Sequence, residues 1–82
     1  MFETTRHAAV VIAARNIRPE WIESALTHPA LVQPDANDSE LEHRLAVIAD
    51  CGMRVLRVIV KRNVQPALVI TAYFDRAMKG KL

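Results

Sequence analysis

Met53-Arg54-Val55-Leu56-Arg57-Val58-Ile59-Val60-Lys61 and Ala67-Leu68-Val69-Ile70-Thr71-Ala72-Tyr73-Phe74 are the two stretches that decide the fold. Both are rich in β-branched and aromatic residues, which suit a pleated, half-buried surface. Asn63 and Pro66 between them are turn formers. Upstream, Glu40 to Ala49 alternates, with Leu41, Leu45 and Val47 on one side and Glu40, Glu42 and Arg44 on the other. Asp50-Cys51-Gly52 suits a tight turn, with Gly52 able to take a positive φ. The expected strands are residues 40–49, 53–61 and 67–74, with a short fourth strand at 30–32 as an option.

Ahead of the strands the period changes. Ala8, Val11, Ile12 and Arg15 recur at helical spacing, and Thr4 or Thr5 can cap the first turn. Arg18-Pro19-Glu20 opens a second helix, since proline suits the first helical position and glutamate the positive end of the dipole. Trp21, Ile22, Ala25 and Leu26 form its apolar stripe, and His28-Pro29 ends it. The expectation is an α+β domain over residues 1–82, with two N-terminal helices on one face of an antiparallel sheet of three to four strands. Trp21, Ile22, Leu26, Leu45, Val47, Val58 and Val69 are its expected core.

The last two strands offer apolar residues to both faces. Leu56, Val58 and Val60 point one way, Val55 and Ile59 the other, flanking Arg57. Strict alternation likewise sets Val69, Thr71 and Tyr73 against Leu68, Ile70, Ala72 and Phe74. Two helices cover one face, so the other is expected to meet a second copy, a partner or a ligand. Leaving several branched side chains wet forgoes a few kcal/mol at roughly 25 cal/mol per Å². Opposite charge in the two halves supports a homodimer. Residues 1–50 carry four arginines against eight carboxylates, a balance of −4, and residues 51–82 carry seven basic residues against Asp75 alone, or +6.

Several function classes are disfavoured. The longest apolar run, Ala8 to Ala14, is far short of the roughly 20 residues of a membrane span. One cysteine, Cys51, fits a reducing cytoplasm, and no leader pattern opens the chain. His7, His28, His43 and Cys51 share no metal-site spacing, so neither metal nor cofactor is expected. Two glycines make no phosphate-cradling loop, and Ser24 and Ser39 lie in no nucleophile motif.

Two constellations remain. His7, Val11 and Arg15 follow one stripe of the first helix. The other is a basic set on and around the strands: Arg44, Arg54, Arg57, Arg62, Tyr73 and Arg76. Arg57, mid-strand between apolar neighbours, needs either an anion or carbonyl from a ligand, or a carboxylate partner among Glu42, Asp50 and Asp75.

Three segments also carry a resemblance: Thr5-Arg6-His7-Ala8, the run Arg15-Asn16-Ile17-Arg18-Pro19-Glu20-Trp21-Ile22, and Leu68-Val69-Ile70-Thr71-Ala72-Tyr73-Phe74-Asp75. Together they resemble a family of short bacterial domains of unknown function that read H-A-x-x-R-x-x-x-R-x-I, a second helix, and strands ending in a V-x-T-x-Y-like segment. That family is distantly similar to the RelE/ParE and BrnT toxins. The resemblance implies a RelE-like fold and a metal-free RNA-binding or RNA-cleaving toxin neutralised by an antitoxin. In that reading Arg57, Tyr73 and Arg76 are the catalytic candidates, while His7, Arg15, Arg44, Arg54 and Arg62 bind RNA. Val11 stands where the pattern has an arginine. The alternative is a non-catalytic interaction or dimerisation module.

Overall fold

The computed structural model describes residues 1–82. The chain runs β1 (Phe2–Thr4), α1 (Arg6–Ala14), α2 (Pro19–Thr27), β2 (Leu31–Pro34), β3 (Leu41–Ile48), β4 (Arg54–Lys61) and β5 (Ala67–Phe74), with 3-10 turns at Ala49–Cys51 and Arg76–Met78. The fold is α+β, but the sheet has five strands in the order β1-β5-β4-β3-β2. It is mixed rather than antiparallel throughout. Phe2–Thr4 adds a parallel edge strand on Ala67–Val69, and β2 pairs antiparallel with β3.

The helix ends follow their local chemistry. Thr5 Oγ1 accepts from Ala8 N–H at 3.0 Å, capping α1. At the other end Asn16 takes φ +55°, and its N–H donates to Ala13 O while that of Ile17 donates to Ile12 O. That pair of bonds is a Schellman closure, and Ile17 and Ile12 both join the core beneath it. Pro19 opens α2 and Glu20 sits in its first turn. Arg44 Nη1 reaches the Leu26 carbonyl at 2.8 Å, satisfying an acceptor that the last turn leaves free.

The helices cover one face only. Ala8, Ile17, Ile22 and Ala25 pack there against Ala46, Ile48, Leu56, Val58, Val60, Val69 and Ala72. Trp21 and Leu26 are half-buried at its margin. Val47, expected in this core, is half-buried on the opposite face, because its cross-strand partner is Val55. Leu45 is fully buried on that same opposite face, paired with Arg57 and Leu31.

One break in alternation accounts for the largest error of facing. Ile59 pairs with Thr71, yet Val60 pairs with Val69, so Ile70 is an extra residue on β5. This bulge turns Val69 to the helix face with Ala72 and Phe74, away from Thr71 and Tyr73. The turn between β3 and β4 is closed by Gly52 and Met53, both at φ +63°. The helix-free face is not bare either. Leu45 and Val55 are buried there, and the turn Arg76–Met78 contacts β4.

Candidate functional site

Two groups of polar side chains stand out, with different fates. The first lies on the helix-free face, where register sets Arg57 opposite Tyr73 and Leu45, and His43 opposite Gln33 and Ile59. Arg57 Nε and Nη2 hold Asp75 Oδ2 at 2.9 and 2.8 Å. Its Nη1 meets His43 Nδ1 at 2.8 Å and Gln33 Oε1 at 3.3 Å. The Arg57 and Asp75 side chains are only 12% and 18% exposed. Of the three carboxylates named from sequence, Asp75 is the partner.

His43 extends this chain. A guanidinium only donates, so Nδ1 presents its lone pair to Arg57 and Nε2 carries the proton. Nε2 donates to Asp35 Oδ1 at 2.6 Å. Asp35 Oδ2 also accepts from the backbone N–H groups of Asn37 and Asp38 at 3.0 and 2.9 Å. The His43 hydrogen bond first, then those two backbone donors, holds the Asp35 carboxyl below the usual carboxylate range. The line Asp35–His43–Arg57–Asp75 is thus internally satisfied, with both imidazole nitrogens engaged.

The remaining basic residues divide by position. At the end of the sheet where β4 finishes, Arg44 pairs with Glu42 at 2.7 Å and Lys61 with Glu40 at 3.4 Å. Arg62 donates to Ser39 O at 3.2 Å and lies 3.9 Å from Glu42. The opposite corner is different. There Arg15, Arg54, Tyr73, Phe74 and Arg76 line a cleft of about 410 Å³. A second cleft of about 310 Å³ shares Arg54, Phe74 and Arg76 and adds Val55, Asp75 and Lys79. None of Arg15, Arg54, Arg76 and Lys79 forms an ion pair; every such pair in the chain lies elsewhere. Asp75, the one acid lining either cleft, is held by Arg57 and by Ala77 N–H.

Residues 4–74 match the family described as Domain of unknown function (DUF4258). The chain belongs to that family. No curated protein and no solved structure matches it. Within this DUF4258 domain the matched residues include Arg15, Arg54, Tyr73 and Phe74, whereas Asp75, Arg76 and Lys79 follow directly after the match.

The corner is built by local packing. Phe74 sits edge-on to Trp21, with ring centroids 6.1 Å apart, and the Arg54 guanidinium lies 4.1 Å over its face. Phe74 is therefore a platform that orients Arg54. Arg15, at the end of α1, spends one donor on Ala72 O at 2.8 Å along the free edge of β5 and keeps four.

Of the residues singled out from sequence, Arg15, Arg54, Tyr73 and Arg76 come together in the DUF4258 corner. Arg57 lies across from Tyr73 but is committed to Asp75. Arg44 and Arg62 sit at the far end with acidic partners, and His7 is exposed about 12 Å up the helix axis from Arg15. Lys79 was missed; its signal was the acid-free run from Arg76 onward. The Asp35–His43 link was missed too, although Asp35-Ala36-Asn37-Asp38 reads as an Asx turn. No three His, Cys, Asp and Glu side chains converge as a metal-ligand set. No helix is long and apolar enough to cross a membrane.

Proposed function

We propose that this domain binds RNA at the basic corner, as a toxin-type inhibitor of the RelE/BrnT kind that acts by holding its RNA. The observation that carries the reading is the set of four cations, Arg15, Arg54, Arg76 and Lys79, gathered around Phe74 with no carboxylate of their own. Uncompensated guanidinium groups, one stacked and one anchored, suit bidentate contacts to phosphate. The Tyr73 side chain adds a hydroxyl to the same cleft.

Capture is favoured over cleavage by what the corner lacks. Removing a proton from a ribose hydroxyl calls for a base. No histidine lines either cleft, and the one carboxylate there is engaged by Arg57. An acidic antitoxin segment laid over the same cations would compete with RNA and neutralise the inhibitor.

The test is expression of the domain alone, followed by RNA binding by the purified protein. Growth should slow, and affinity should fall with rising salt by about −0.7 in the double-logarithmic slope per phosphate neutralised. Combined Arg54→Ala and Arg76→Ala should abolish both effects. A protein that neither slows growth nor binds any RNA refutes the proposal.

A second reading, a homodimerising module, has its own support. Leu41, Ile59 and Thr71 stand half-buried on the helix-free face, and the halves of the chain carry opposite charge. Light scattering at micromolar concentration tests it; a monomer mass removes it.

A further inference from the structure

The basic corner is not one depression but two, and the lining they share is itself cationic. Arg15 and Tyr73 line the larger cleft only, and Val55, Asp75 and Lys79 the smaller only. Arg54, Phe74 and Arg76 face both. We infer that the corner takes two consecutive phosphates of one unpaired RNA strand, one in each cleft, with Arg54 and Arg76 bridging them. This rests on the RNA reading above and specifies its ligand.

Charge supports two phosphates. Arg15 and Lys79 each line one cleft alone, so each cleft has a cation of its own. Asp75 does not cancel this, because its charge is already matched by Arg57 on the adjoining face. Four cations against two phosphodiester charges leave each phosphate with both a private contact and a shared one.

Shape supports an unpaired strand. Clefts of about 310 and 410 Å³ lie at the small end of ligand sites, the scale of a single nucleotide each. A duplex holds its bases stacked inside a wide rod and offers no such unit to a concavity. Recognition should also be indifferent to base identity. Phe74 is covered by Arg54 on its face and meets Trp21, which leaves Tyr73 as the aromatic side chain available to a base.

Calorimetric titration of the whole chain with unphosphorylated RNA oligonucleotides tests this. The series comprises a dinucleotide with one phosphodiester, a trinucleotide with two, a tetranucleotide with three, and a longer strand both single and paired. Affinity should step up about tenfold or more from dinucleotide to trinucleotide, as a second charge-assisted contact forms, and then level off. The duplex should bind more weakly than its single strand, and changing the bases should matter little. Lys79→Ala should remove the step, and Lys61→Ala, whose side chain pairs with Glu40 at the far end, should leave the series unchanged. A smooth rise with length, a step that survives Lys79→Ala, or a duplex bound as tightly as the single strand overturns the two-phosphate site while RNA binding stands. Failure of even the longest strand to bind overturns the RNA reading itself.

Discussion

Replacing Arg57 with methionine separates a structural guanidinium from a ligand-binding one. The substitution keeps most of the side-chain volume and removes every donor. Asp75 then loses both of its guanidinium contacts, at 2.9 and 2.8 Å, and His43 Nδ1 loses its donor at 2.8 Å. Stranding one partner of a buried ion pair costs about 3–5 kcal/mol. With Asp75 18% exposed, water recovers part of that, leaving roughly 2–3 kcal/mol. The orphaned imidazole acceptor adds about 1 kcal/mol. A loss near 3 kcal/mol lowers the thermal midpoint of a domain this size by at least about 12 °C. Circular dichroism through thermal and urea unfolding reads this directly. The double change Arg57→Met with Asp75→Asn should cost less than the sum of the singles, by about 1–3 kcal/mol. A midpoint for Arg57→Met within about 4 °C of the parent, under 1 kcal/mol, would refute the reasoning and return Arg57 to the pool of free cations.

Two further outcomes concern a carboxylate with three hydrogen-bond donors and an indole N–H with no acceptor. Because the Asp35 carboxyl is held below its ordinary range in the folded state, its charged form stabilises the fold fully above the unfolded value of about 3.9 and loses that contribution as pH falls through the folded value. Asp35→Asn should therefore be less stable than the parent at neutral pH and lose less on acidification through that window; parallel urea midpoints against pH would contradict it. Trp21 Nε1 is buried without a hydrogen-bond partner, a defect costing about 1–3 kcal/mol, so Trp21→Phe should trade lost packing for a removed defect and change stability by less than about 1 kcal/mol. A loss above about 2 kcal/mol by urea unfolding would show that packing dominates there.

What the sequence made legible was local chemistry. Thr5, Pro19 and Gly52 each mark an element end through a hydrogen bond or backbone conformation that the residue type itself favours: the Thr5 hydroxyl, the Pro19 ring and the missing Cβ of Gly52. The long valine-rich runs read as strands because no other structure suits them. Phe2-Glu3-Thr4 could not be read that way. Three residues are too few to show alternation, and their partner lies more than sixty positions downstream. The Ile70 bulge carries no glycine or proline to announce it, and a single extra residue reverses the facing of everything beyond it. The site shows the same division. Arg57 visibly needed a partner, and Asp75 was one of three nameable ones. Which of the remaining cations stay unpaired depends on register, and composition does not contain register.

Register is also what turns a modest net charge into a polarised molecule. In an antiparallel sheet the end of one strand lies beside the start of the next. β3 begins with Leu41-Glu42 beside Val60-Lys61 at the finish of β4, so the acids of the loop and β3 meet Lys61, Arg62 and Arg44 there. The other end sets Ile48 against Arg54, and Phe74 against Leu56, and the one acid of the turn there, Asp50, is exposed and forms no ion pair. The C-terminal turn then adds Arg76 and Lys79 to that end, and its one acid, Asp75, folds inward to Arg57. The surplus positive charge of the second half is thereby concentrated rather than spread. A field focused in adjoining clefts speeds encounter with a polyanion, whereas the same charges scattered over the surface would be largely screened at physiological salt. Pairing at one end of the sheet and its absence at the other are consequences of the same strand register.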